Sequence, residues 1–153
     1  MKKMSMLIAL IGMMIFPMMQ VQAQDVVAGD ILGKWLNEDK DAHVEIFMVG
    51  DKYFGKLVWI KIPIDPDTGK AKLDKHNPDP ELQKRPSLGL ELLTNFVFED
   101  DEWEDGEIYD PKTGKTYSCY MEFPDEDNLD KLKIRGYVGI SLLGKTTYWT
   151  RVK

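Results

Sequence analysis

Apolar and polar residues alternate along most of the chain after residue 24, and no window there carries an apolar stripe at helical spacing. The segment 52–61 shows the alternation well, with Tyr53, Gly55, Leu57 and Trp59 on one face and Phe54, Val58 and Ile60 on the other. Strands are predicted over 32–37, 42–49, 52–61, 90–98, 106–109, 115–123, 130–138 and 145–152, each holding β-branched or aromatic residues and bounded by Gly, Pro, Asp or Asn. About eight evenly spaced strands with no helices between them predict an all-β fold, either an antiparallel up-and-down β-barrel or a sandwich; at this count a barrel interior is filled by side chains or holds one small ligand.

The turns fit such a fold. Asp65-Pro66-Asp67-Thr68-Gly69-Lys70 and Asp110-Pro111-Lys112-Thr113-Gly114-Lys115 are nearly the same hexapeptide, in which proline presets the first turn position and glycine supplies a positive φ at the exit. A calcium loop is not expected in the first copy, where the glycine comes too early and no closing glutamate follows. The stretch 62–89 is the one long segment without a strand. Within it Asp79 is placed to N-cap and Pro80 to open a short helical turn that Pro86 ends. Long connections in small domains are usually packed loops or functional lids, which makes this one the first place to look for binding.

The amino terminus breaks the pattern. Seven of the nine methionines fall in residues 1–23, where Lys2 and Lys3 precede an uncharged apolar run from Met6 to Met19 and Val21-Gln22-Ala23 ends on a small residue. This predicts a signal peptide over 1–23, too short to span a membrane, and a single domain over 24–153, placing the protein outside the cytoplasm, periplasmic or secreted. Without Lys2 and Lys3 the formal charge of −6 becomes −8, and no basic cluster remains to neutralise phosphates, so nucleic acid is not an expected partner. Cys119 is the only cysteine, which excludes an intramolecular disulfide; it reads as a small apolar strand residue.

Catalytic signatures are sparse. His43 and His76 have no metal-ligand spacing, no serine sits in a nucleophile elbow, and no glycine-rich phosphate loop is present. Neither a metal nor another cofactor is expected. Seven carboxylates crowd residues 99–107, read as a solvated hairpin loop anchored by Trp103, with a docking patch as the alternative. Residues at the two ends of the strand series are more informative. Gly33-Lys34-Trp35 opens the first strand and Trp149-Thr150-Arg151 closes the last; in a closed barrel these strands are neighbours, so an indole and a guanidinium can stack across the seam.

A G-x-W start with a closing arginine resembles the lipocalin and fatty-acid-binding superfamily, the calycins. The chain is more specifically similar to the uncharacterised bacterial family named domain of unknown function 2147. The matching segments are Gly33-x-Trp35, Asp74-x-x-Asn77-Pro78-Asp79-Pro80, Arg85-Pro86-x-x-Gly89, Gly106-x-Ile108-Tyr109-Asp110-Pro111, Leu132-x-x-Arg135-Gly136-Tyr137-x-Gly139 and Trp149-x-Arg151. Where that family often has a cysteine this chain has Phe54, so no role for a thiol there transfers. The resemblance implies export and a calycin-like barrel with an internal cavity, without an established activity.

These residues lead to a functional expectation: an exported, non-enzymatic barrel binding a small hydrophobic or amphipathic molecule. Pocket and rim candidates are Arg135, Tyr137, Trp59, Tyr109, Asn77 and Arg85, and the closure residues are Gly33, Trp35, Trp149 and Arg151. Asn77 and Arg85 also fit a purely structural role in fixing the loop. For Arg135 and Tyr137, alternation with Leu132, Ile134 and Val138 leaves two options, and the apolar set is the better filling for an interior. The alternatives are a packed interaction module with an envelope protein partner, and, further off, a hydrolase or isomerase using carboxylates at the barrel mouth.

Overall fold

The computed structural model describes residues 25–153, and the expected signal peptide over 1–23 lies outside the described residues. Eight antiparallel strands form a closed up-and-down barrel: β1 (Gly33–Leu36), β2 (Ala42–Val49), β3 (Lys52–Ile60), β4 (Glu91–Glu99), β5 (Glu102–Asp110), β6 (Lys115–Glu122), β7 (Lys131–Val138) and β8 (Ile140–Arg151). Each strand pairs with its sequence neighbours, and β1 pairs with β8 through Trp35↔Arg151 and Leu36↔Thr150. Alternation therefore resolves into one face lining the barrel and one facing water.

Two boundaries differ from expectation. β5 begins at Glu102, not 106, so the acidic run is not a loop. It is a tight turn at Asp100 and Asp101, both with positive φ, followed at once by strand. Trp103 and Gly106 are its buried positions, separated by a register shift that breaks the simple alternation. β8 begins at Ile140, not 145. Its first residues leave the ladder after Val138↔Ile140 and rejoin at Tyr137↔Gly144, and 141–143 bulge from the hairpin. Gly144 permits the return, because a Cβ there would sit 2.1 Å from the Gly136 carbonyl oxygen.

Up-and-down order sends connections alternately to two ends. At one end lie residues 25–32 and the turns at 50–51, 100–101 and 123–130; at the other lie 37–41, the long loop 61–90, 111–114 and Gly139. The first end is closed by packing. Trp103 meets Phe123 edge-on at 5.5 Å and Tyr53 at 6.2 Å, and Trp35, Phe96, Met121 and Cys119 are fully buried around them. Beneath Trp35 the Arg151 guanidinium stacks at 4.3 Å and donates to the carbonyls of Leu129, Leu32 and Asp30, while the Trp35 indole donates to Ile31 at 2.8 Å.

The long loop is packed. Its turn at 65–70 and the β5–β6 turn share more than sequence: Gly69 and Gly114 both have positive φ and both donate to the aspartate opening their hexapeptide, at 2.8 Å. The expected helical turn is a single 3-10 turn, Leu82–Lys84. Asp79 accepts the Glu81 N–H at 2.9 Å in an Asx turn, and the residue flanking the 3-10 turn, Glu81, supplies no side-chain cap.

Candidate ligand cavity

The interior is full only at the closed end. Above Leu57, Ile134 and Trp149 it opens into a cavity of about 760 Å³ that reaches the mouth. Ala42, Leu57, Leu92, Ile108, Ile134 and Trp149 supply its apolar wall, and Tyr117 and Thr147 add hydroxyls. Gly136, with only a hydrogen for a side chain, keeps the β7 wall thin at this level.

The rim is basic. Lys61, Lys72, Lys75, Lys112 and Lys145 stand around the mouth with His76, against Asp39, Asp41 and Asp110. Lys112 bonds Asp39 at 2.8 Å and Asp41 at 3.4 Å; this partner holds the Asp39 carboxyl below its usual range and raises the Lys112 ammonium. Lys61, Lys72, Lys75 and Lys145 form no ion pair among the described residues. The loops at the mouth carry eight basic and eight acidic side chains, whereas those at the closed end carry nine acidic and no basic ones.

One wall of the mouth is held by a buried carboxylate. Asp74, 1% exposed, accepts from the Tyr109 hydroxyl at 2.6 Å, from Asn77 Nδ2 at 3.0 Å, and from Arg85 through Nε at 3.0 Å and Nη2 at 2.9 Å. Burial, and then the Asp74 bond, push the Tyr109 phenol up to about 12. Pairing with the Arg85 guanidinium, together with hydrogen bonds from the neutral Tyr109 and Asn77 donors, offsets the cost of burying the carboxylate. The β5–β6 turn presses on the same loop: a Cβ on Gly114 would lie 1.8 Å from the His76 carbonyl oxygen.

The sequence candidates therefore divide. Tyr109 lines the cavity, and Asn77 and Arg85 join it in the Asp74 cluster without reaching the cavity wall. Trp59 points outward, 40% exposed, its ring 4.5 Å from His43. Arg135 and Tyr137 also lie on the outer wall, where Arg135 donates to Thr146 Oγ1 at 3.0 Å and to the Leu142 carbonyl at 3.3 Å. The physical reason is the alternation itself: Leu132 and Ile134 take the inner face, so their neighbours cannot. Of the closure residues, Trp35 and Arg151 meet at the seam, and Gly33 beside them has φ +119°. Trp149 belongs to the cavity floor. Sequence reading missed the lysine rim, which needs the loops placed together, and Asp74, whose only signal was its place in the Asp-x-x-Asn segment.

The raised carboxyl pair lies elsewhere. Glu102 faces Glu122 across β5 and β6 on the outer wall, with Lys133 beside them; burial and the shared hydrogen bond push Glu102 up to about 7. Among the described residues no group of three or more His, Cys, Asp or Glu is placed to hold a metal.

Comparison with known proteins matches this barrel. A family described as an uncharacterized protein conserved in bacteria, domain of unknown function 2147, matches residues 33–151. The chain belongs to this family. The matched span of domain of unknown function 2147 runs from β1 to the end of β8 and so includes the seam, the Asp74 cluster and every cavity-lining strand. A solved structure described as protein HP1028 from the human pathogen Helicobacter pylori, belonging to the lipocalin family, is similar at 25% identity with a TM-score of 0.66, over 80% of this chain and 83% of that one. No curated protein matches in sequence. The fold is lipocalin-like.

Proposed function

We propose that this protein binds a small amphipathic molecule with an acidic head and an apolar body, and that it does so outside the cytoplasm. One observation carries the reading: a cavity of about 760 Å³, apolar below and ringed by four lysines that form no ion pair among the described residues. Its size falls within the range of about 300–1,000 Å³ common for small-ligand sites, and apolar walls with a few charged groups give affinity and orientation respectively. Lipocalin-like architecture supports the same reading. The competing interaction module requires a packed interior, and an open cavity weighs against it. The carboxylate hydrolase requires two raised acids in one cleft, and the raised pair here sits on the outer wall. The extracytoplasmic placement rests on the amino-terminal pattern and is tested by fractionating cells and sequencing the amino terminus of the mature chain.

Binding is tested by titrating the protein with anilinonaphthalene sulfonate and displacing it with dodecanoate. Saturable binding, blocked by Ile134→Trp and weakened by Lys145→Glu, is the expected result. Dye binding that survives Ile134→Trp unchanged would place the ligand outside the cavity and overturn the reading.

A further inference from the structure

The rim carries a second feature that the cavity explains only in part, since Val138, Leu143 and Ile62 line its mouth while Ile140, Leu142 and Ile64 do not. Exposed aliphatic side chains gather at the open end: Val138, Ile140, Leu142 and Leu143 on the β7–β8 hairpin, and Ile62 and Ile64 where the long loop leaves β3. Leu142 is 82% exposed and Ile140 57%, and neither lines the cavity. An apolar cluster of this kind on a soluble barrel marks a surface that is covered in use.

Charge identifies what covers it. Of the six lysines and arginines on the β7–β8 hairpin, Arg135 and Lys145 stand toward the mouth, whereas Lys131, Lys133, Arg151 and Lys153 stand toward the closed end; residues 131–153 hold no carboxylate side chain. Lys145 stands at the mouth on this hairpin, and Lys61, Lys72 and Lys75 stand there on the long loop. The nine carboxylates of the closed-end loops face the opposite way. The base is thus strongly negative, whereas the mouth loops balance basic against acidic groups and Lys145 adds to the basic side, so an anionic surface repels the base and meets the rim lysines and the exposed aliphatic groups at the mouth.

We propose that the mouth docks on an anionic lipid bilayer, with the 138–143 tip seated among the acyl chains and the rim lysines at the headgroups. Apolar burial and attraction to anionic headgroups are the two terms that bind peripheral proteins to membranes, and both are present at this one end. The bulge at 141–143 projects Leu142 beyond the ladder, as an inserting residue requires. This inference deepens the binding reading by giving the cavity a source for an amphipathic ligand, but docking itself uses the rim and not the cavity.

The experiment is co-sedimentation of the mature chain with vesicles of phosphatidylglycerol and phosphatidylcholine in equal parts, against phosphatidylcholine alone. Binding to the first that falls as salt is raised is expected. Leu142→Asp combined with Ile140→Asp should lower the partition coefficient by about tenfold or more, with melting temperature and dye binding unchanged. Lys72→Glu and Lys75→Glu should each lower it by about fivefold. Ile134→Trp separates the two proposals, because it should abolish dye binding and leave vesicle binding intact. Equal binding to both vesicle types overturns the proposal, as does loss of binding with Ile134→Trp. So does a protein that ignores vesicles and instead forms a dimer dissolved by the tip substitutions, since that would make a second copy the true occupant.

Discussion

The two ends of this barrel are built from the same eight strands and do opposite work. At the closed end Trp35, Phe96, Trp103 and Phe123 fill the interior, and Arg151 satisfies the carbonyls beneath them. At the mouth the same strands carry smaller or longer side chains, including Gly136, Thr147 and Lys145, and leave a cavity. Stability is thus concentrated at one end, which releases the other from the need to pack. The charge differs as well: the loops around the packed base are acidic alone, whereas those around the opening mix lysines with aspartates.

That division breaks most visibly by substitution in the packed half. Phe96→Ala should cost about 3–5 kcal/mol in urea unfolding, whereas Leu142→Ala at the mouth should stay within about 0.5 kcal/mol; similar costs at both sites would erase the distinction. Next is Arg151→Ala, which should cost about 2–4 kcal/mol by stranding three carbonyls and losing the indole stack. Arg151→Lys should recover less than half, because an ammonium cannot reach the same carbonyls as a planar fork. At the mouth Asp74→Asn should cost about 1–3 kcal/mol, felt as faster proteolysis within 61–90 more than as a lower global melting temperature. It should also bring the Tyr109 phenol down from about 12 in an alkaline absorbance titration, because the Asp74 bond and charge are lost while burial still raises it and Asn77 and Arg85 still lower it.

The smallest expected effect concerns pH. Burial and Glu122 raise Glu102 from 4.5 to about 7 in the folded state, so the folded chain holds a proton there that the unfolded chain has released. Stability from this site is therefore present at low pH and lost as pH rises from about 4.5 through 7. Glu102→Gln should flatten the dependence of urea stability on pH across that window; an unchanged slope would mean that the pair is not sharing a proton.

Much of the fold was legible because its causes are local. Alternation marked the strands, the two hexapeptides marked turns, and the pairing of Trp35 with Arg151 announced closure. The acidic run was misread as loop because charge on an outer face looks like charge in a turn, and the register shift between Trp103 and Gly106 hides the inner positions. The site was less legible. Whether alternating strands enclose a cavity depends on the summed volumes of residues from every strand, and the Asp74 cluster joins groups up to 35 residues apart. Arg135 and Tyr137 attracted notice by their chemistry, yet Leu132 and Ile134 had the stronger demand for the interior.

The seam has a consequence for how the chain folds. Seven of the eight strand junctions link sequence neighbours and can form as hairpins or meanders, but the eighth joins the first strand to the last through two register pairs, with the Arg151 clasp reaching Leu32, 119 residues away in sequence. Contacts of that separation carry the largest loop-closure entropy and are slow to form. The expected order therefore puts the zipping of β1 against β8 last, after the seven sequence-neighbour pairings. The reverse path begins at the same place, so unfolding should first be seen as exposure of the indole at 35 while the hairpins remain intact.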